Sequence, residues 1–144
     1  MANIVPDSFK TDLLKGTFNF DSSGGDTFKL ALYTDISGFS TSTTAYTTTN
    51  EVSSAGTGYT AAGNTLTNNG VSVGSNIAFV DFADLTFSSV TLTADSALIY
   101  KSSASDEAVL VLDFGGDKTA TNGDFVIQFP TADSTNAIIR LGDA

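Results

Sequence analysis

Ala108-Val-Leu-Val-Leu-Asp-Phe114 and Phe125-Val-Ile-Gln-Phe129 are the runs on which the fold turns. Both are continuously apolar, short, and bounded by turn chemistry, Gly115-Gly116-Asp117 after the first and Asn122-Gly123 before the second. Runs of this kind read as central strands covered on both faces. Ala97-Leu-Ile-Tyr100 upstream and Ala137-Ile-Ile-Arg-Leu141 downstream have the same form. Further back, Ile77-Ala-Phe-Val-Asp-Phe82 and residues 85–93, with alternation at Val90 and Leu92, read as two successive strands. Phe28, Leu30 and Leu32 alternate with Lys29, Ala31 and Tyr33, the period of a half-buried strand. Phe18 and Phe20 alternate with polar residues in the same way, and Asp21-Ser-Ser-Gly-Gly-Asp26 between the two segments reads as a hairpin loop.

Residues 35–42 are loop-like, residues 45–52 form a threonine-rich extended segment, and Gly56, Gly58 and Gly63 break up the chain beyond it. Strands recur at a spacing of roughly eight to twelve residues with no helical pattern between them, which favours antiparallel strands in a sandwich or barrel. The expected fold is therefore all-β, an antiparallel β-sandwich of jelly-roll-like or immunoglobulin-like form with one short N-terminal helix. That helix is placed at residues 6–15, started by Pro6 or Asp7 and ended by Gly16. Its apolar face, Phe9, Leu13 and Leu14, is too narrow to hold it in water, so it must dock on its own domain or on another subunit. The chain is expected to be one domain over residues 1–144, with residues 1–16 as an N-terminal helical arm.

Composition supports this and removes several chemistries. With 144 residues, 41% of them hydrophobic, the chain can build a core without disulfides or metals. It has no cysteine and no histidine, so a thiol nucleophile, a Ser-His-Asp relay, a disulfide framework and an ordinary zinc site are excluded. Six cationic side chains stand against sixteen carboxylates, a formal net charge of -10, and the cations are scattered. Nucleic acid is repelled by such a surface; a basic or mainly apolar partner suits it. The opening MANIVPDSFK lacks a basic start and an apolar stretch, and no run reaches the length of a membrane span, so a soluble chain with no membrane partner is expected.

Gly56-Thr-Gly-Tyr-Thr-Ala61 formally matches a dinucleotide fingerprint. Without a strand before it and a helix after it, the segment is a glycine-rich turn, and no cofactor is expected. The aspartates, among them Asp21, Asp26, Asp81 and Asp117, do not follow the spacing of a calcium loop and sit where β turns want them, so no metal is expected. Glu51 and Glu107 are the two glutamates available for acid–base glycoside cleavage, but nothing around them signals a cleft, and no enzyme and no catalytic residue are expected. The eleven phenylalanines are core material. Tyrosine tolerates a half-wet setting, which makes Tyr46 and Tyr59, in the threonine- and glycine-rich middle, candidates for contact.

Ser8-Phe-Lys-Thr-Asp-Leu-Leu-Lys-Gly16, Asp26-Thr-Phe-Lys-Leu-Ala-Leu-Tyr-Thr34 and Thr44-Ala-Tyr-Thr-Thr-Thr-Asn-Glu-Val52 with Gly56-Thr-Gly-Tyr-Thr60 carry a resemblance. So do Ala97-Leu-Ile-Tyr100, Ala108-Val-Leu-Val-Leu-Asp-Phe-Gly-Gly-Asp-Lys118, and the segment from Phe125 through Arg140. In order and spacing these blocks resemble a family of small structural proteins of tailed bacteriophages, over essentially the whole chain. The resemblance implies a virion protein, placed on the capsid surface after assembly in the host cytoplasm. It would decorate and cement the capsid by binding the major capsid protein and would act as a homo-oligomer, a homotrimer. A tail- or fibre-associated module binding a host glycan is the alternative. Contacts with the shell or with sister subunits are expected at Phe9, Leu13, Leu14, Tyr46 and Tyr59.

Overall fold

The alternation at residues 28–33 becomes strand β1 (Phe28–Tyr33), with apolar side chains buried on both of its faces. The structure is a computed structural model and describes residues 2–143. Strand β1 lies between β2 (Asn64–Thr65) and the long β5 (Leu85–Lys101), and β5 in turn pairs with β6 (Ala108–Ile127). A second antiparallel sheet has the order β3 (Asn68–Gly74), β4 (Ile77–Phe82), β7 (Ile139–Leu141). Two antiparallel sheets and one short helix, α1 (Asp7–Leu14), make an all-β, sandwich-like fold.

Side-chain alternation sorts the core into two parts. Phe28, Leu30, Leu32, Ala97 and Ile99 point into the main core, where they join Val80 and Phe82 of the second sheet. Phe20 lies flat on Phe28, ring centroids 4.5 Å apart. On the opposite face, Ala31, Tyr33, Leu98 and Tyr100 are covered by Ile36, Phe39 and Tyr46 from the segment after β1, and by Ile4, which bridges to Val111. The central strands are thus covered on both faces, as their continuous apolar runs predict.

Helix α1 follows Pro6 and ends before Gly16, whose φ of 79° stops it. Phe9 packs edge-on against Phe18 at 5.0 Å, so the helix docks on its own domain. Residues 18 and 20 contribute buried rings but form no strand, and residues 45–52 make only isolated bridges, Ala45 to Glu107 and Glu51 to Tyr33.

The larger correction concerns the runs that decide the fold. They belong to one strand, because Gly115-Gly116-Asp117 does not reverse the chain. Ser96 pairs with Asp113 and Ala94 with Lys118, so β6 extrudes residues 114–117 opposite Asp95 as a wide bulge. Gly115 and Gly116 take φ of 72° and 126°, values that glycine makes accessible to tight turns and to bulges alike, and the local sequence does not distinguish the two. Residues 85–93 and 97–100 are likewise joined in β5. At the other extreme, the last run contracts to the short edge strand β7, where Leu141 is 60% exposed.

Candidate functional site

The segment after β1 folds back over the sheet and brings a carboxylate among the tyrosines. Glu51 Oε1 accepts the Tyr59 hydroxyl at 2.8 Å and the Ala62 N–H at 2.6 Å, and Oε2 accepts the Tyr46 hydroxyl at 2.6 Å. Strand β2 covers only the first half of β1, and beyond it the Leu32 N–H donates to the Tyr59 hydroxyl at 3.0 Å. Tyr59 thus satisfies an edge group that no strand reaches. Tyr100 donates to the Ala62 carbonyl and Tyr33 to the Thr47 carbonyl, both at 2.7 Å, and the Tyr46 ring stacks on Tyr100 at 4.9 Å. Burial holds all four phenols above their ordinary range, with the Glu51 charge adding to it; Tyr100 is pushed up to about 12 by burial first and then by the Asp106 and Glu51 charges. A carboxylate occupied on both oxygens clamps a loop to a sheet. Glu107 has its own partner, the Ser103 hydroxyl at 2.5 Å, which holds its carboxyl below the usual range. Among the described residues, no three or more Asp and Glu side chains gather as a group that could hold a metal ion. No described helix is long and apolar enough to cross a membrane.

A different kind of site lies at the helix end. Between α1 and β7 runs a groove of about 570 Å³, whose walls include Val5, Leu13, Leu14, Ile138, Ile139 and Leu141. Val5, Leu14 and Leu141 are 40%, 82% and 60% exposed there. The open surface continues across the second sheet. Val73 pairs with Ala78 and Ala78 with Leu141, so these three side chains share one face, and Val71 lies two residues away along β3. Val73 is 74% exposed. A second groove, of about 540 Å³, runs beside the β6 bulge and is lined by Asn3, Asp113, Phe114, Lys118 and Val126 among others.

Of the residues expected to make contacts, Leu14 stands open and Leu13 forms a wall of the groove. Phe9 and Tyr59 are both buried within the domain, Phe9 against the Phe18 and Phe20 rings and Tyr59 beside the Phe87 ring with its hydroxyl on the Leu32 N–H. Tyr46 is half-buried, its ring on Tyr100 and its hydroxyl on Glu51. Val5, Val71, Val73 and Leu141 were missed. Val71-Ser-Val73 did carry a signal, a two-residue alternation in a segment with too few apolar neighbours to be central. No family model matches this chain, and no curated protein or solved structure matches it.

Proposed function

We propose that this chain is a bacteriophage virion structural protein that decorates the capsid and cements it by binding the major capsid protein. Support comes from the resemblance of its sequence blocks to small phage structural proteins. The observation that carries it is the apolar end: Val5, Leu14, Val71, Val73 and Leu141 stay open, whereas among the described residues the other large apolar side chains, Val126 apart, are buried or half-buried. Grouped exposure of this kind marks a protein contact. A symmetric shell multiplies such a contact, so each copy needs only a modest affinity.

Particles assembled with and without this chain test the proposal. Copies in stoichiometric ratio to the capsid protein, seen on the shell by electron microscopy, are expected, together with loss of resistance to heat or low salt when the chain is left out. A few copies confined to the tail would reject it. The glycan-binding alternative has less support, since Tyr59 is buried and Tyr46 spends its hydroxyl on Glu51.

A further inference from the structure

We infer that the outer edge of β6 from Gly123 to Gln128 is a docking site for an extended, basic and apolar segment of a partner protein, which joins the four-stranded sheet there as a further strand. This surface is separate from the apolar end, and the inference does not depend on the virion assignment.

Strand β6 is the outer strand of its sheet, so every second residue along it turns its N–H and C=O away from β5. On the Ala108 side of the bulge this edge is filled. Ile4 exchanges both main-chain hydrogen bonds with Val111 at 2.9 Å, and the Asn3 side chain accepts the Asp113 N–H at 2.9 Å. The chain thus adds an extended segment of its own to β6. On the other side of the bulge, among the described residues, no main-chain group outside β5 bonds to residues 123–128. The open stretch closes at Phe129, whose N–H donates to Asp84 at 2.8 Å. The opposite edge of the same ribbon is not open in this way, because the Thr91 N–H donates to the Thr57 carbonyl at 2.8 Å.

The groove of about 540 Å³ lies on this open edge. Residues 124–130 line it in unbroken succession. Successive side chains of a strand point to opposite faces, and here Asp124, Val126 and Gln128 are exposed while Phe125 and Ile127 are buried. A groove that touches both sets follows the edge of the strand and not one of its faces. Leu112, Phe114 and Ile138 add apolar lining. An extended segment fits both features: its main chain meets the open N–H and C=O groups, and alternate side chains meet apolar surface, including Val126 at 54% exposure. A helix satisfies its own main chain and leaves the edge groups unmet.

Charge selects the sign of the occupant. Asp113 and Asp124 line the groove against one cation, Lys118, Asp117 stands in the adjoining bulge, and the chain carries a net charge of -10. A segment bearing Lys or Arg is drawn to this edge, and an acidic one is repelled.

Nuclear magnetic resonance of the full chain with an end-capped peptide of alternating Val and Lys tests this. In the free chain the outward amides of residues 123–128 should exchange with solvent quickly. The peptide is expected to bind with a dissociation constant of about 0.1 mM, to shift the resonances of these residues, and to slow their exchange about tenfold or more. The same peptide methylated on every backbone nitrogen, and a peptide of alternating Val and Glu, should bind at least about tenfold more weakly. Val126→Lys should weaken binding about fivefold or more, whereas Val73→Lys, on the other sheet, should leave it unchanged. No binding at about 5 mM peptide, equal binding of the methylated or the glutamate peptide, or equal weakening by V73K would overturn the inference. So would a free chain whose 123–128 edge is already protected by a second copy.

Discussion

The Tyr59 hydroxyl donates to Glu51 Oε1 at 2.8 Å. Because the same hydroxyl accepts the Leu32 N–H, a single side chain joins the returning loop to a central strand in the gap between the β2 pairing and the Glu51–Tyr33 bridge. Glu51 then collects Tyr46 and the Ala62 N–H, so the loop is fastened at three places by one carboxylate. Its value is structural, and it can be measured.

Glu51→Ala leaves the Tyr59 hydroxyl, the Tyr46 hydroxyl and the Ala62 N–H without their acceptor. A loss of about 2–4 kcal/mol in urea unfolding is expected, since each buried donor left unmade costs about 1–3 kcal/mol and water recovers part of it. Glu51→Gln keeps one acceptor oxygen and should lose less. Equal stability of E51A and the unaltered chain would show that the clamp contributes nothing.

Alkaline pH should unfold the protein through its tyrosines. Burial holds Tyr100 at about 12 against an ordinary 10.0, and the other three lie higher still for the same reason. The folded chain keeps these protons where the unfolded chain has released them. Stability is therefore full below pH 10 and falls as pH rises from 10.0 toward about 12. Tyrosinate absorbance is expected to rise together with the loss of folded structure; four phenols titrating in the folded state near pH 10 would contradict it.

Gly63 and Gly56 make a matched pair. Both have positive φ, 70° and 74°, but a Cβ on Gly63 would stand 1.8 Å from the Leu30 carbonyl oxygen, whereas one on Gly56 meets nothing within 4 Å. Gly56→Ala carries only the backbone cost, about 1 kcal/mol. Gly63→Ala must push β2 off β1 and should cost about 4 kcal/mol or more. Thermal melting of the two variants decides it; similar midpoints would mean that β2 yields freely.

Phe9 and Leu14 lie on the same helix with opposite fates. Phe9→Ala opens a cavity beside Phe18 and Phe20 and should cost about 3–5 kcal/mol. Leu14→Ala, at a position 82% exposed, should change the stability of a single subunit by less than about 0.5 kcal/mol. Denaturant unfolding at low protein concentration separates the two, and comparable losses would place Leu14 in the core.

Strand character and the helix between Pro6 and Gly16 were legible in the residues alone. These are local properties: a period of two at residues 28–33, continuous apolar runs at 97–100 and 108–112, a proline before and a glycine after a short amphipathic stretch. Composition likewise sufficed for what the absence of cysteine and histidine excludes, and for the bearing of a net charge of -10 on any partner. Long-range packing settled the rest. Whether Gly115-Gly116 turns the chain or bulges a strand depends on what lies opposite, here the single residue Asp95 between two paired positions of β5. The tyrosines share Glu51 only because residues up to 49 positions apart in the chain meet across a sheet face, and no local pattern encodes that meeting. The same holds for the apolar end. Leu14, Val73 and Leu141 are ordinary core-type residues in sequence; only their places at the end of α1 and on the two outer strands of the second sheet leave them open.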